Sequence, residues 1–159
     1  MKIRTFRHIG SVSTGTLRPE DIIPDLIDLL RDLRGSLPRR IAADWRELER
    51  FYNLDNCTPD QDQDAHDIED HLAERLYDEI NAILPPFLYC GSIEGDGADI
   101  GVWPDWCAID AARQDGELPD RYDLPAGYSG LALDVNDHGN ATLYYVHKNG
   151  SARELWSVV

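Results

Sequence analysis

The sequence predicts one α+β domain spanning residues 1–159, in which an antiparallel sheet of about five to six strands carries about three helices on one face. Three observations carry the prediction. Apolar residues recur at helical spacing in three segments before residue 85, and alternate or cluster in short runs after it. An Asn149-Gly150 pair between two β-rich runs marks a tight hairpin, so the chain ends in a meander. The 159 residues, 42% of them hydrophobic, suffice for one packed core despite a net charge of −15.

Taken in order, residues 2–9 alternate loosely and read as a short strand, and Ser11–Thr16 as a polar linker. That linker lacks the Lys-Ser/Thr ending of a phosphate-cradling loop. Pro19 suits the first position of a helix, with Glu20 and Asp21 at its positive N-terminal end and Gly35 as its stop. Ile22, Ile23, Leu26, Ile27, Leu30 and Leu33 form its apolar stripe. A second helix runs from about Pro38 to Leu54, with Ile41, Trp45, Leu48 and Tyr52 on one face. Its Arg39, Arg40, Arg46 and Arg50 interleave with Asp44, Glu47 and Glu49, which reads as a salt-bridged surface rather than a nucleic-acid patch.

Residues 53–63 read as a loop, and the third helix is placed at about Asp64 to Leu84, its core stripe being Ile68, Leu72, Leu76, Ile80 and Ile83. Pro85-Pro86 ends it. Phe87–Cys90 and Ala98–Trp103 read as two strands joined across Glu94-Gly95-Asp96-Gly97. A short helix is expected over Asp105–Arg113, then a long polar surface loop over residues 114–129. In the closing meander, Leu131, Leu133 and Val135 share one face, and Trp156 and Val158 another.

Charge is the most distinctive property of the chain. Residues 58–99 hold twelve acids against one base, Arg75, a net of −11 out of −15. Such a field repels nucleic acid and attracts basic surfaces. On the third helix Asp67, Asp70, Glu74 and Asp78 fall at i, i+3, i+7 and i+11, one carboxylate per turn of about 5.4 Å. Asp60, Asp62 and Asp64 extend the run upstream, and Glu94, Asp96 and Asp99 add to it from the glycine turn. These ten residues are the expected partner-binding set. The same charge could instead serve solubility alone.

No catalytic, metal or cofactor residues are assigned. His66 and His71 stand at i, i+5, which puts them on different faces of a helix, unlike the i, i+4 pair of a helical metal site. The Glu94–Asp99 run lacks the spacing of a calcium loop, and Asp137-His138-Gly139-Asn140 reads as turn chemistry. Trp103-Pro104-Asp105-Trp106 offers an aromatic surface of which at least one Trp belongs to a core. Cys57, Cys90 and Cys107 are an odd set without CxxC spacing, as expected of free thiols in a reducing cytoplasm. No apolar run approaches 18 residues.

Two stretches carry a resemblance. Pro85-Pro86-Phe87 leads into Gly95-Asp96-Gly97-Ala98-Asp99-Ile100-Gly101-Val102-Trp103-Pro104-Asp105, and Val135–Tyr144 is followed by the ending Glu154–Val159. Together they resemble uncharacterised small acidic proteins of bacteriophages, prophages and other mobile elements, over about the C-terminal half. The resemblance brings no catalytic residues with it. It implies a phage or mobile-element gene context, not a mechanism; beside it, the expectation is a protein that is not an enzyme and acts in the host cytoplasm. The acidic segment then suggests an anti-CRISPR or anti-restriction inhibitor that mimics DNA and takes the basic nucleic-acid-binding surface of a host nuclease complex as its partner. The alternatives are a phage structural or accessory interaction protein, and a metal-dependent enzyme in which Asp96, Asp99 and His138 converge.

Overall fold

The computed structural model describes residues 5–54 and 58–159. The chain divides into two compact units, one of Gly10–Leu84 with Cys90–Trp103, the other of the segment ending at Ile9 with Pro85–Tyr89 and Pro104–Val159. The fold class is α+β, and the described residues form four helices and two three-stranded antiparallel sheets. A single sheet of five or six strands does not form.

In the first unit, strand β1 (Gly10–Thr14) precedes helices α1 (Pro19–Arg34), α2 (Arg39–Tyr52) and α3 (Pro59–Asn81), and the hairpin β2 (Leu88–Ile93) and β3 (Asp96–Pro104), of which Cys90–Trp103 belongs to this unit, completes a sheet in the order β1-β3-β2. The α1 helix forms as its caps dictate. Pro19 opens it, Glu20 and Asp21 sit in its first turn, and Gly35 closes it at φ 79° with its N–H on the Arg31 carbonyl. Ile23, Leu26 and Leu30 of α1, Ile41 and Leu48 of α2, and Leu72, Leu76 and Ile80 of α3 are buried almost completely, and α3 packs on both other helices. Each such side chain contributes about 1.5–3 kcal/mol.

Three boundaries differ from expectation, each for a local reason. Helix α3 starts five residues early, because Thr58 and Gln61 form a capping box: the Thr58 Oγ1 accepts from the Gln61 N–H at 3.3 Å and the Gln61 Oε1 from the Thr58 N–H at 2.9 Å, with Pro59 next in line. It also stops early, at Asn81, which leaves Ile83 exposed instead of in the core stripe. The Asn81 amide then reaches the Cys90 backbone, accepting from its N–H at 2.8 Å and donating to its carbonyl at 3.2 Å, and so occupies polar groups that β2 would otherwise leave open. The expected linker Ser11–Thr16 supplies most of β1, whereas residues 5–9 hold no strand and residues 2–4 lie outside the described residues. Polar β1 is a strand because β3 pairs with it, Gly10 opposite Val102 and Thr14 opposite Asp99.

Gly101 leaves no room for a side chain between those strands. A Cβ there would collide with the Gly10 carbonyl and lie 2.9 Å from the Trp103 ring. Gly101→Ala therefore shifts β1 or tilts Trp103, and an expected loss of about 1–3 kcal/mol is measurable by urea denaturation. A change within 0.5 kcal/mol would mean that β1 docks loosely.

In the second unit, helix α4 (Trp106–Gln114) precedes the meander β4 (Gly130–Val135), β5 (Ala141–Val146) and β6 (Ala152–Val158), paired in that order. Asp105 caps α4 by accepting from the Ala108 N–H at 2.9 Å. The segment expected to be only surface loop buries Leu118 and touches β4, where Asp120 forms a parallel bridge with Leu133 and the Arg121 N–H donates to the Leu133 carbonyl. Pairing in β5–β6 skips Leu155, a β-bulge, so Leu155 and Trp156 are both buried in succession. The bulge carbonyl accepts from the Phe6 N–H at 2.7 Å. In β4 the buried residues are Ala132 and Leu133, while Val135, expected inside, is 37% exposed. With Leu133 and β6 already engaged by other segments, the meander closes without joining the first sheet.

Candidate functional site

The acidic helix and the groove at its N-terminal half form the candidate site, all within the first unit. Helical geometry orders the carboxylates. Taking Asp67 as zero at 100° per residue, Asp60, Asp64, Asp70, Glu74 and Asp78 all fall within about 60° to either side. Six carboxylates thus share an arc opposite Leu72, Leu76 and Ile80, along about 27 Å of axis. All six are exposed. Asp67 accepts from the Gln63 amide at 2.9 Å, and among the described residues none of the six forms an ion pair. Two nearby cations are committed elsewhere: Arg75 holds Asp44 of α2, and Arg34 holds Glu79 on the flank of α3.

The other four expected residues are placed differently. Asp62 turns away from the stripe toward the groove, with its Oδ2 3.8 Å from the His66 Nε2. Glu94 and Asp96 are exposed on the hairpin turn, where Asp96 accepts from the Ala98 N–H at 3.0 Å. Asp99 is half-buried within β3, and its Oδ1 is enclosed without a hydrogen-bond partner. The structure therefore gathers six of the ten on one ridge and leaves Asp62, Glu94, Asp96 and Asp99 off it.

The α2 surface also departs from expectation. Among the described residues Arg39, Arg40, Arg46 and Arg50 make no ion pair, Arg46 donates to the Ala42 carbonyl at 2.8 Å, and the helix's one bridge runs from Asp44 to α3. Packing of α2 against α3 supplies a closer cation for Asp44 than its own helix does.

Sequence reasoning missed the groove. It is an open groove of about 440 Å³, with Phe51, Tyr52 and Ala65 on its apolar side and Glu20, Asp62, His66 and Glu69 on its polar side. Glu69 lies on the core side of α3 and is only 6% exposed. A buried carboxylate requires partners. Glu69 has two: the Tyr52 hydroxyl donates to its Oε1 at 2.9 Å, and the His66 Nδ1 lies 2.9 Å from its Oε2. Burial, then the Glu69 hydrogen bond, pushes the Tyr52 hydroxyl well above the usual phenol range, so it stays a donor. The hydrogen bond and charge of Glu69 raise His66 above its ordinary value. The available signal was an acid among the apolar positions Ala65, Leu72 and Leu76 of one helical face.

The shift of His66 has a definite sign. The folded chain holds that proton more tightly than the unfolded chain, so His66 adds stability that is fully present below 6.5 and fades as pH rises through the raised folded value. An NMR titration should find the His66 midpoint above 6.5, with Glu69→Gln returning it toward that value. An unshifted midpoint in the native protein would dissolve the pair.

The remaining polar clusters are turns or surface. The Asn136 Oδ1 accepts from the His138 and Asn140 N–H groups at 2.9 and 3.1 Å, which accounts for the His-Asp turn. Among the described residues no group of three His, Cys, Asp or Glu is arranged for a metal ion. Cys90 is a buried free thiol pushed up to about 12 by burial, Cys107 is free and exposed, and Cys57 lies outside the described residues. Trp103 is half-buried with its indole N–H on the Gly91 carbonyl at 3.1 Å, and Trp106 is exposed. Among the described residues no helix is long and apolar enough to cross a membrane. No family model, curated protein or solved structure matches the chain.

Proposed function

We propose that the protein is a phage-encoded inhibitor of a host defence nuclease, of the anti-CRISPR or anti-restriction kind, which presents the α3 ridge to a basic surface that otherwise holds nucleic acid. The observation that carries the reading is the ridge itself: six exposed carboxylates on one arc of a helix, with no cation among the described residues paired to any of them. Their mean spacing is about 5 Å along the axis. One DNA strand carries a charge every 3.4 Å or so, and the duplex one every 1.7 Å or so. The ridge therefore resembles one strand at reduced density and fits an Arg/Lys channel that tracks a single backbone. Because it is sparser than DNA, its binding should weaken with salt less steeply than DNA's own, whose slope is about −0.9 per phosphate contacted.

An affinity pull-down from a lysate of a defence-proficient host, at low and high salt and with competing DNA, tests the reading. Recovery of a CRISPR or restriction complex that salt weakens and DNA displaces supports it. Recovery of that complex unaffected by either would move inhibition to another surface, and recovery of virion proteins instead would favour the accessory role.

A further inference from the structure

We propose that the groove beside Glu69 seats the guanidinium of an arginine from the basic partner, an assignment that rests on the function proposed above and names the side chain that anchors it. At about 440 Å³ the groove is far larger than a bound water or ion needs and lies within the range of small-ligand clefts, about 300–1,000 Å³. Its chemistry is concave and mixed, unlike the ridge. On one side Phe51 and Tyr52 of α2 line the groove with aromatic side chains, Tyr52 braced edge-on against Trp45, and aromatic side chains favour a planar guanidinium. On the other stand Asp62 at the rim and, deeper, the Glu69 carboxylate, more than nine-tenths buried. Each Glu69 oxygen receives one hydrogen bond, from Tyr52 or His66, and each retains a second lone pair. No Lys or Arg is among the described residues that line the groove. Arg18 meets the charge of Glu20 from an exposed position, and among the described residues the one basic group that meets Asp62 and Glu69 is His66.

An ammonium fits this combination less well. Lysine offers a strongly hydrated point charge with no plane to stack, whereas arginine brings a flat, weakly hydrated fork suited both to aromatic walls and to carboxylates. Buried arginines are also among the commonest anchors of protein interfaces. The ridge then supplies long-range attraction and the groove a seat for one residue.

The test needs no partner, so its failure is separable from failure of the inhibitor reading. The ¹⁵N-labelled full chain is titrated with N-acetylarginine methylamide, and with the citrulline and lysine equivalents. Saturable amide shifts confined to Tyr52, Ala65, His66 and Glu69 are expected, with the citrulline and lysine compounds binding at least ~10-fold more weakly. Tyr52→Ala and Glu69→Gln should each reduce arginine affinity ~10-fold or more, and Asp62→Asn, at the exposed rim, about threefold without disturbing the fold. Equal binding of citrulline or lysine overturns the assignment. So do shifts spread along Asp67–Asp78, or an arginine affinity that Asp62→Asn and Tyr52→Ala leave unchanged.

Discussion

Replacing Asp67, Asp70, Glu74 and Asp78 together by lysine is expected to lower affinity for the proposed basic partner by about tenfold or more and to leave the protein folded. The magnitude follows from modest terms. An exposed ion pair is worth about 0.2–1 kcal/mol, and reversal replaces each attraction by a repulsion, so four sites lose about 1.6–8 kcal/mol, more than tenfold even at the low end. Folding is spared because all four side chains are exposed on the side of α3 opposite Leu72, Leu76 and Ile80. A companion variant separates function from architecture. With Asp67→Asn, Asp70→Asn, Glu74→Gln and Asp78→Asn, four like-charge pairs at i, i+3 or i, i+4 disappear, Asp64–Asp67 among them, each worth about 0.2–0.5 kcal/mol. The neutral set should therefore gain about 1 kcal/mol in low-salt urea denaturation, and the gain should shrink in high salt. A ridge retained against its own repulsion is what a binding surface requires. Partner binding that survives the lysine set would remove the ridge from the mechanism, and a neutral set less stable than the native chain would make these acids structural.

Truncating Trp156 to alanine is the other large effect, this time on stability. Trp156 is fully buried in β6, and its indole N–H donates to the Pro86 carbonyl at 2.9 Å. Removing a buried tryptophan costs about 3–5 kcal/mol through lost transfer energy and the cavity left behind. That is a large share of the roughly 5–15 kcal/mol that holds a protein folded. Trp156→Phe keeps most of the volume but leaves the Pro86 carbonyl unpaired, about 1–3 kcal/mol. Urea denaturation followed by circular dichroism should rank native above Phe above Ala. Equal losses for both would assign the whole effect to the hydrogen bond.

How much of this was legible depended on the range of the interaction that decides it. Helices α1 and α2 were readable because Pro19, Gly35 and the apolar spacings act within a turn or two. The turns at Gly95 and Gly150 were readable for the same reason, both glycines taking positive φ. The true start of α3 was also written locally, in Thr58-Pro59-Asp60-Gln61, but was overlooked beside the acidic residues that follow. The ridge of Asp67, Asp70, Glu74 and Asp78 needed only the period of a helix, and that period likewise carries it back through Asp64 to Asp60.

Other features were set by contacts between distant residues. Ser11–Thr14 becomes a strand only because β3, nearly ninety residues on, offers it partners, and no local alternation announces that pairing. Two sheets form rather than one because remote segments engage the meander, Asp120 at Leu133 and Phe6 at the Leu155 bulge. Glu69 can be buried only where Tyr52, seventeen residues earlier, and His66, one turn before it, bring a hydroxyl and an imidazole to its carboxylate. The sequence by itself determined the helices, the tight turns and the line of charge along α3, since each is settled by neighbours within a few residues. The tertiary structure decided the strand partners, the division into two sheets and the groove at Glu69, because a strand's pairing and a buried charge's partners depend on which distant groups the fold brings within about 3 Å of one another.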